Sequence, residues 1–161
     1  MKINKKYNSK GFTFLELLIA IFIIVVGILS ISALASFTTK AGRLNKEMLI
    51  GAYLAQEGVE IMRGIRDNNF LNDRNFNHGF STGTCGVDYS SISCVPENQN
   101  RFLAIDNTGR YSYSPGSSTN FRRVIEISSV TPTIEFTITV FGKDNRELIS
   151  VKEILYNWYQ P

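Results

Sequence analysis

The residue of this chain best placed to do chemistry is a lone carboxylate inside an apolar run. Glu16 sits between Phe12-Thr13-Phe14-Leu15 and Leu17-Leu18, and no further charge occurs until Lys40. Holding a charge near a bilayer interior costs about 2.5–3.5 kcal/mol, so an acid kept there points to charge pairing or to a functional site. Upstream, Lys2, Lys5, Lys6 and Lys10 lead without any acid to Gly11. The other reactive side chains are sparse. Cys85 and Cys94 lie in a Gly/Ser-rich stretch, and the sole histidine, His78, stands among asparagines. Asp67, Asp73, Asp88 and Asp106 are scattered through turn-like sequence, where aspartate favours turns. No nucleophile has a base beside it in the sequence, so no catalytic residue is assigned and the chain is read as a non-enzyme.

The element that must position Glu16 is a membrane-length helix. Leu17 to Ala35 is nineteen residues without a charge, and about 20 apolar residues span a bilayer as a helix. The lysines before it hold the N-terminus in the cytoplasm, which places the rest of the chain outside. Two plainer readings exist. Ala33-Leu34-Ala35 offers a secretory cleavage site, but the apolar core exceeds the usual ~7–15 residues. A simple signal anchor would leave Glu16 snorkelling at the interface. Neither accounts for a carboxylate five residues after Lys10-Gly11.

Helical periodicity continues past the apolar run. Leu44, Met48, Ala52, Ala55, Val59, Met62 and Ile65 recur at three- or four-residue steps, with Arg43, Lys46, Glu57, Glu60 and Arg63 between them. That is one apolar face of an amphipathic helix. The Asn/Asp-rich run from Asp67 ends it, predicting one helix over 12–67. Gly51 and Gly58 are seven apart on nearly one face and can admit a sheet or helix closely. Beyond it, short strands are predicted over 101–106 and 111–113, with 114–120 a loop. Three clearer strands follow over 121–130, 134–141 and 148–155. Ile134, Phe136, Ile138 and Val140 alternate with Glu135, Thr137 and Thr139, the period-two mark of a half-buried strand. Lys143-Asp144-Asn145-Arg146 is a tight turn, where Asp and Asn tolerate positive φ. The fold class is therefore α+β: a long N-terminal helix packed on a small antiparallel meander.

Lys10-Gly11 followed by Phe12-Thr13-Phe14-Leu15-Glu16-Leu17 resembles the class III signal of type IV prepilins. The resemblance implies a membrane peptidase that cuts after Gly11 and methylates the new N-terminal Phe12. It also implies that Glu16 pairs with the Phe12 amine of a neighbouring subunit during assembly, offsetting the cost of burying both charges. The implied division is a cleaved leader, 1–11; a transmembrane and filament-core half-helix, 12–37; an amphipathic half, 38–69; and an exported β domain, 70–161. In such an exported domain Cys85 and Cys94 are expected to form a disulfide, with two free thiols as the alternative and a metal site disfavoured by the isolated His78.

Gly27-Ile28-Leu29, the stretch Tyr53-Leu54-Ala55-Gln56-Glu57-Gly58-Val59-Glu60-Ile61-Met62-Arg63 and the tail Ile154-Leu155-Tyr156-Asn157-Trp158 look like PilV-type minor pilins and type II secretion pseudopilins. Many major pilins carry a proline in the apolar segment, and this chain has none. The implied function is a minor pilin of a type IV pilus, in the cytoplasmic membrane before assembly and on the cell surface after it. Its implied partners are the prepilin peptidase/methyltransferase, other pilin subunits through the N-terminal helix, the assembly platform and the membrane. A secretion pseudopilin is the alternative.

A DNA-uptake role is the alternative from another class, because Arg110, Tyr111, Tyr113, Phe121, Arg122 and Arg123 interleave bases with aromatics. Against it, the formal charge of +3 falls to −1 once the four leader lysines are lost, which removes the electrostatic case for a nucleic-acid partner. Asp106-Asn107-Thr108-Gly109 and Asp144-Asn145 are the compact oxygen clusters. Neither has the ligand set of a calcium site, so no metal and no cofactor is expected.

Overall fold

Thr13 begins the first element by chemistry as well as by position. In the computed structural model, which describes Gly11 and Thr13–Trp158, its hydroxyl accepts the Glu16 amide at 3.3 Å and its carbonyl accepts the Leu17 amide at 3.2 Å. A threonine that satisfies an orphan amide in this way is a helix N-cap. Helix α1 then runs over Phe14–Leu71. The chain divides into two units, one ending at Arg43 and one starting at Leu44, and α1 contributes to both.

In the first unit the helix is apolar and uncovered. Phe14, Phe22, Ile31 and Phe37 are each about 70% exposed or more. Its hydroxyls are satisfied within the helix: Ser30 donates to the Val26 carbonyl at 2.8 Å, and Thr38 and Thr39 both donate to Ala35 at 3.0 and 2.9 Å. Back-bonding of this kind lets Ser and Thr sit in a helix without needing water.

The second unit holds the core. Leu54, Ala55, Val59, Met62 and Ile65 of α1 are buried against a four-stranded antiparallel sheet. The sheet order is β1 (Gly83–Cys85), β5 (Arg122–Ser129), β6 (Ile134–Phe141), β7 (Glu147–Leu155). At its centre Ile138 pairs with Ile125 on one side and Val151 on the other. Ile134, Phe136, Ile138 and Val140 are all fully buried, as their alternation requires. Asp144 and Asn145 take φ of 60° and 57° in the β6–β7 turn, the left-handed conformation predicted for them. A second, three-stranded sheet is built from β2 (Ala104–Ile105), β3 (Tyr111–Ser112) and β4 (Ser117–Ser118), in the order β3-β2-β4.

The α+β plan and the β5-β6-β7 meander agree with the sequence reading, and four details differ. Helix α1 ends four residues later than Asp67. The asparagines close it instead of breaking it: the Asp73 amide donates to Phe70 and the Arg74 amide to Asn69, with Asp73 at φ 51°, a Schellman closure. Leu44 and Met48, assigned to the docking face, are 38% and 48% exposed, because burial of that face begins at Gly51. Strands β1 and β4 were not expected, since Gly-Thr-Cys and Ser-Ser carry no alternation to read. The fourth is Arg123, whose side chain is buried under α1.

Gly51 and Gly58 are close-approach positions. A Cβ on Gly51 would stand 3.1 Å from Leu148 Cβ, and one on Gly58 would stand 2.9 Å from Ile138 Cδ1 and 3.0 Å from Arg123 Cδ.

Candidate processing and assembly segment

Gly11 precedes the helix cap, is exposed, and has no atom of the described residues beyond its own neighbours within 4 Å of where a Cβ would be. The backbone is therefore open there to an enzyme that needs an extended, unbranched segment. Phe12, the expected methylation acceptor, lies outside the described residues. Glu16 is exposed in the first turn of α1, where a carboxylate complements the positive end of the helix dipole. Three residues separate it from Thr13, the spacing of a capping box. This end of the chain thus presents an accessible glycine, a capped helix start and an outward-facing acid, followed by an uncovered apolar helix of membrane-spanning length.

The exported unit holds its polar residues in a scaffold. Cys85 and Cys94 form a disulfide with their Cα atoms 5.5 Å apart. Inside that loop Asp88 is buried. Burial pushes its carboxyl up, but the Tyr113 amide at 3.0 Å and the Ser90 and Ser91 groups around it outweigh that and hold it below its ordinary value. Burial likewise pushes the Tyr113 phenol up.

Arg123 is fully buried, which removes it from the interleaved bases and aromatics considered for a nucleic-acid partner. Its Nη1 donates to the Leu54 carbonyl at 2.8 Å and to Glu57 at 2.9 Å; its Nη2 donates to the Val87 carbonyl at 2.6 Å. One guanidinium therefore ties α1, β5 and the disulfide loop together. Its position was readable from parity, since Arg123 shares a strand face with Ile125 and Ile127. The nearby basic and aromatic residues do not form one exposed strip. Arg122 lies over Phe141 at 4.7 Å and bonds Asn100 and Asn145; Arg110 lies over Tyr89 at 5.2 Å; Tyr113 is buried; Tyr111 packs edge-on against Phe121.

The oxygen clusters serve their own turns. Asp106 Oδ1 accepts from the Thr108 hydroxyl, which does most to lower its carboxyl to about 2, and from the Thr108 and Arg110 amides; Oδ2 accepts from Tyr89. The Asn145 side-chain oxygen accepts from Arg122. Among the described residues no three His, Cys, Asp or Glu side chains gather as a metal-holding group. Asp67 pairs with Arg66, Asp73 closes α1, and His78 is an exposed loop residue.

Residues 6–36 match the family model of the prokaryotic N-terminal methylation motif. That span takes in Gly11, Phe12 and Glu16 and supports a type IV pilin- or pseudopilin-like precursor, with processing by a prepilin peptidase and anchoring in a membrane before assembly. Comparison with curated proteins and with solved structures finds no match to the chain.

Proposed function

We propose that this chain is a minor pilin of a type IV pilus, a structural subunit and not an enzyme. It is made as a precursor, cut after Gly11, methylated on Phe12 and drawn from the cytoplasmic membrane into a filament through α1. The observation that carries the reading is the methylation-motif match over residues 6–36 on a helix whose apolar surface nothing in its own unit covers. Such a surface needs lipid or other helices around it. In the membrane, lipid meets that need; in the filament, neighbouring helices do. Glu16, exposed in the first turn, then pairs with the terminal amine of the adjacent subunit. The exported unit, stapled by Cys85–Cys94, faces outward. Its resemblance to PilV-type subunits and the proline-free apolar segment favour a minor subunit over a major one.

The test is Glu16→Ala expressed in the native host. The variant is expected to insert and be cleaved, yet to be absent from sheared filaments by immunoblot. Normal incorporation would remove the charge-pairing role. Recovery of the parent protein only in short periplasmic fibres would move the reading to a secretion pseudopilin.

A further inference from the structure

The apolar run ends on a basic face. Ser36, Thr39, Lys40 and Arg43 stand at i, i+3, i+4 and i+7 on α1, the spacing of one helix side. With Ala35 they line a shallow cleft of about 390 Å³. All four are exposed. Thr39 spends its hydroxyl hydrogen on the Ala35 carbonyl, while the Ser36 hydroxyl has no partner among the described residues. The ion pairs among those residues leave out both Lys40 and Arg43, and the acid that follows, Glu47, is held by Arg146.

Depth decides what meets this face. Glu16 and Lys40 are 24 positions apart, about 36 Å along a helix, against about 30 Å of hydrocarbon. With Glu16 at one boundary, Lys40 and Arg43 emerge among the headgroups of the opposite leaflet. Cations at that depth attract anionic lipid, and an Arg fork matches a phosphate oxygen pair.

We propose that Ser36, Lys40 and Arg43 form a binding site for the phosphate of an anionic phospholipid in the outer leaflet of the cytoplasmic membrane. The site fixes the depth of the waiting subunit, and its lipid must be given up when the subunit is extracted. This rests on the reading of α1 as a membrane span, and does not depend on cleavage or methylation.

The test places the full-length chain in nanodiscs of equal phosphatidylglycerol and phosphatidylcholine and identifies the lipids retained by native mass spectrometry. Lys40→Gln with Arg43→Gln is compared with the parent; the leader lysines are the same in both, so they cancel. Two basic residues near a charged surface predict at least about fivefold more phosphatidylglycerol enrichment on the parent than on the double variant. Arg74→Gln, an exposed arginine beyond α1, should leave the enrichment intact. Equal enrichment in the parent and the double variant, with α1 still helical by circular dichroism, overturns the lipid site alone. A parent chain that does not enter the nanodisc overturns the membrane reading with it.

Discussion

At the scale of single residues, this chain uses buried polar groups to join segments far apart in sequence. Arg123 links α1 to the loop behind Cys85, and its Nε has no partner among the described residues. Removing one member of a buried pair strands the other. Because Glu57 sits at the edge, with its side chain 34% exposed, it can be rehydrated. Arg123→Ala is therefore expected to cost about 3 kcal/mol, the low end for such pairs, measured by denaturant unfolding of the full chain in detergent. Asp88 gives a pH dependence with a definite sign. Its folded carboxyl lies below the ordinary 3.8, after burial is outweighed by hydrogen bonds from Tyr113, Ser90 and Ser91. A depressed carboxyl contributes stability above the unfolded value and loses it as pH falls through the folded one. Asp106, lowered to about 2 chiefly by the Thr108 hydroxyl, follows the same direction. Asp88→Asn should lower stability at pH 6 by about 1–3 kcal/mol. It should also make stability change less than in the parent between pH 6 and pH 3, as read from melting curves at the two values. An unaltered acid limb would show that Asp88 is not held as a carboxylate.

At the scale of elements, the glycines of α1 separate into two kinds. Gly58 faces Ile138 and Arg123 at contact distance, whereas Gly64 has nothing within 4 Å. Gly64→Ala should stabilise by up to about 1 kcal/mol through helix propensity. Gly58→Leu should destabilise by about 1–3 kcal/mol through overpacking. Opposite shifts in melting temperature would bear this out, and equal shifts would contradict the close packing. What was legible here followed from periodicity. The alternation over Ile134–Phe141 and the stripe from Ala55 to Ile65 reported strand, helix and buried face together. Leu44 and Met48 carried the same period without the burial, because periodicity shows which side is apolar and not where the partner sheet stops. Strands β1 and β4 were illegible for another reason. Gly83-Thr84-Cys85 is a strand because β5 offers it a ladder at Ile125–Ile127, a tertiary cause that leaves no local trace.

At the scale of the whole molecule, the residues that the proposed function relies on are concentrated before Leu17, and that segment is the most legible in the sequence. The lone acid in an apolar run singles out Glu16 by residue type and spacing, the resemblance to the class III prepilin signal implies the roles of Gly11, Phe12 and Glu16, and the motif match covers all three. The structure adds the Thr13 cap and the exposure of Gly11 and Glu16. The exported unit was legible as an architecture, but its polar interior was not: nothing local distinguishes buried Asp88 from half-buried Asp106. The proposal that this chain is a prepilin is tested most directly by peptide mass spectrometry of the N-terminus from native membranes. A chain beginning at Phe12 and carrying one added methyl group is predicted. A chain beginning at Met1 in cells that contain the processing peptidase, or one beginning at Ser36, would contradict it.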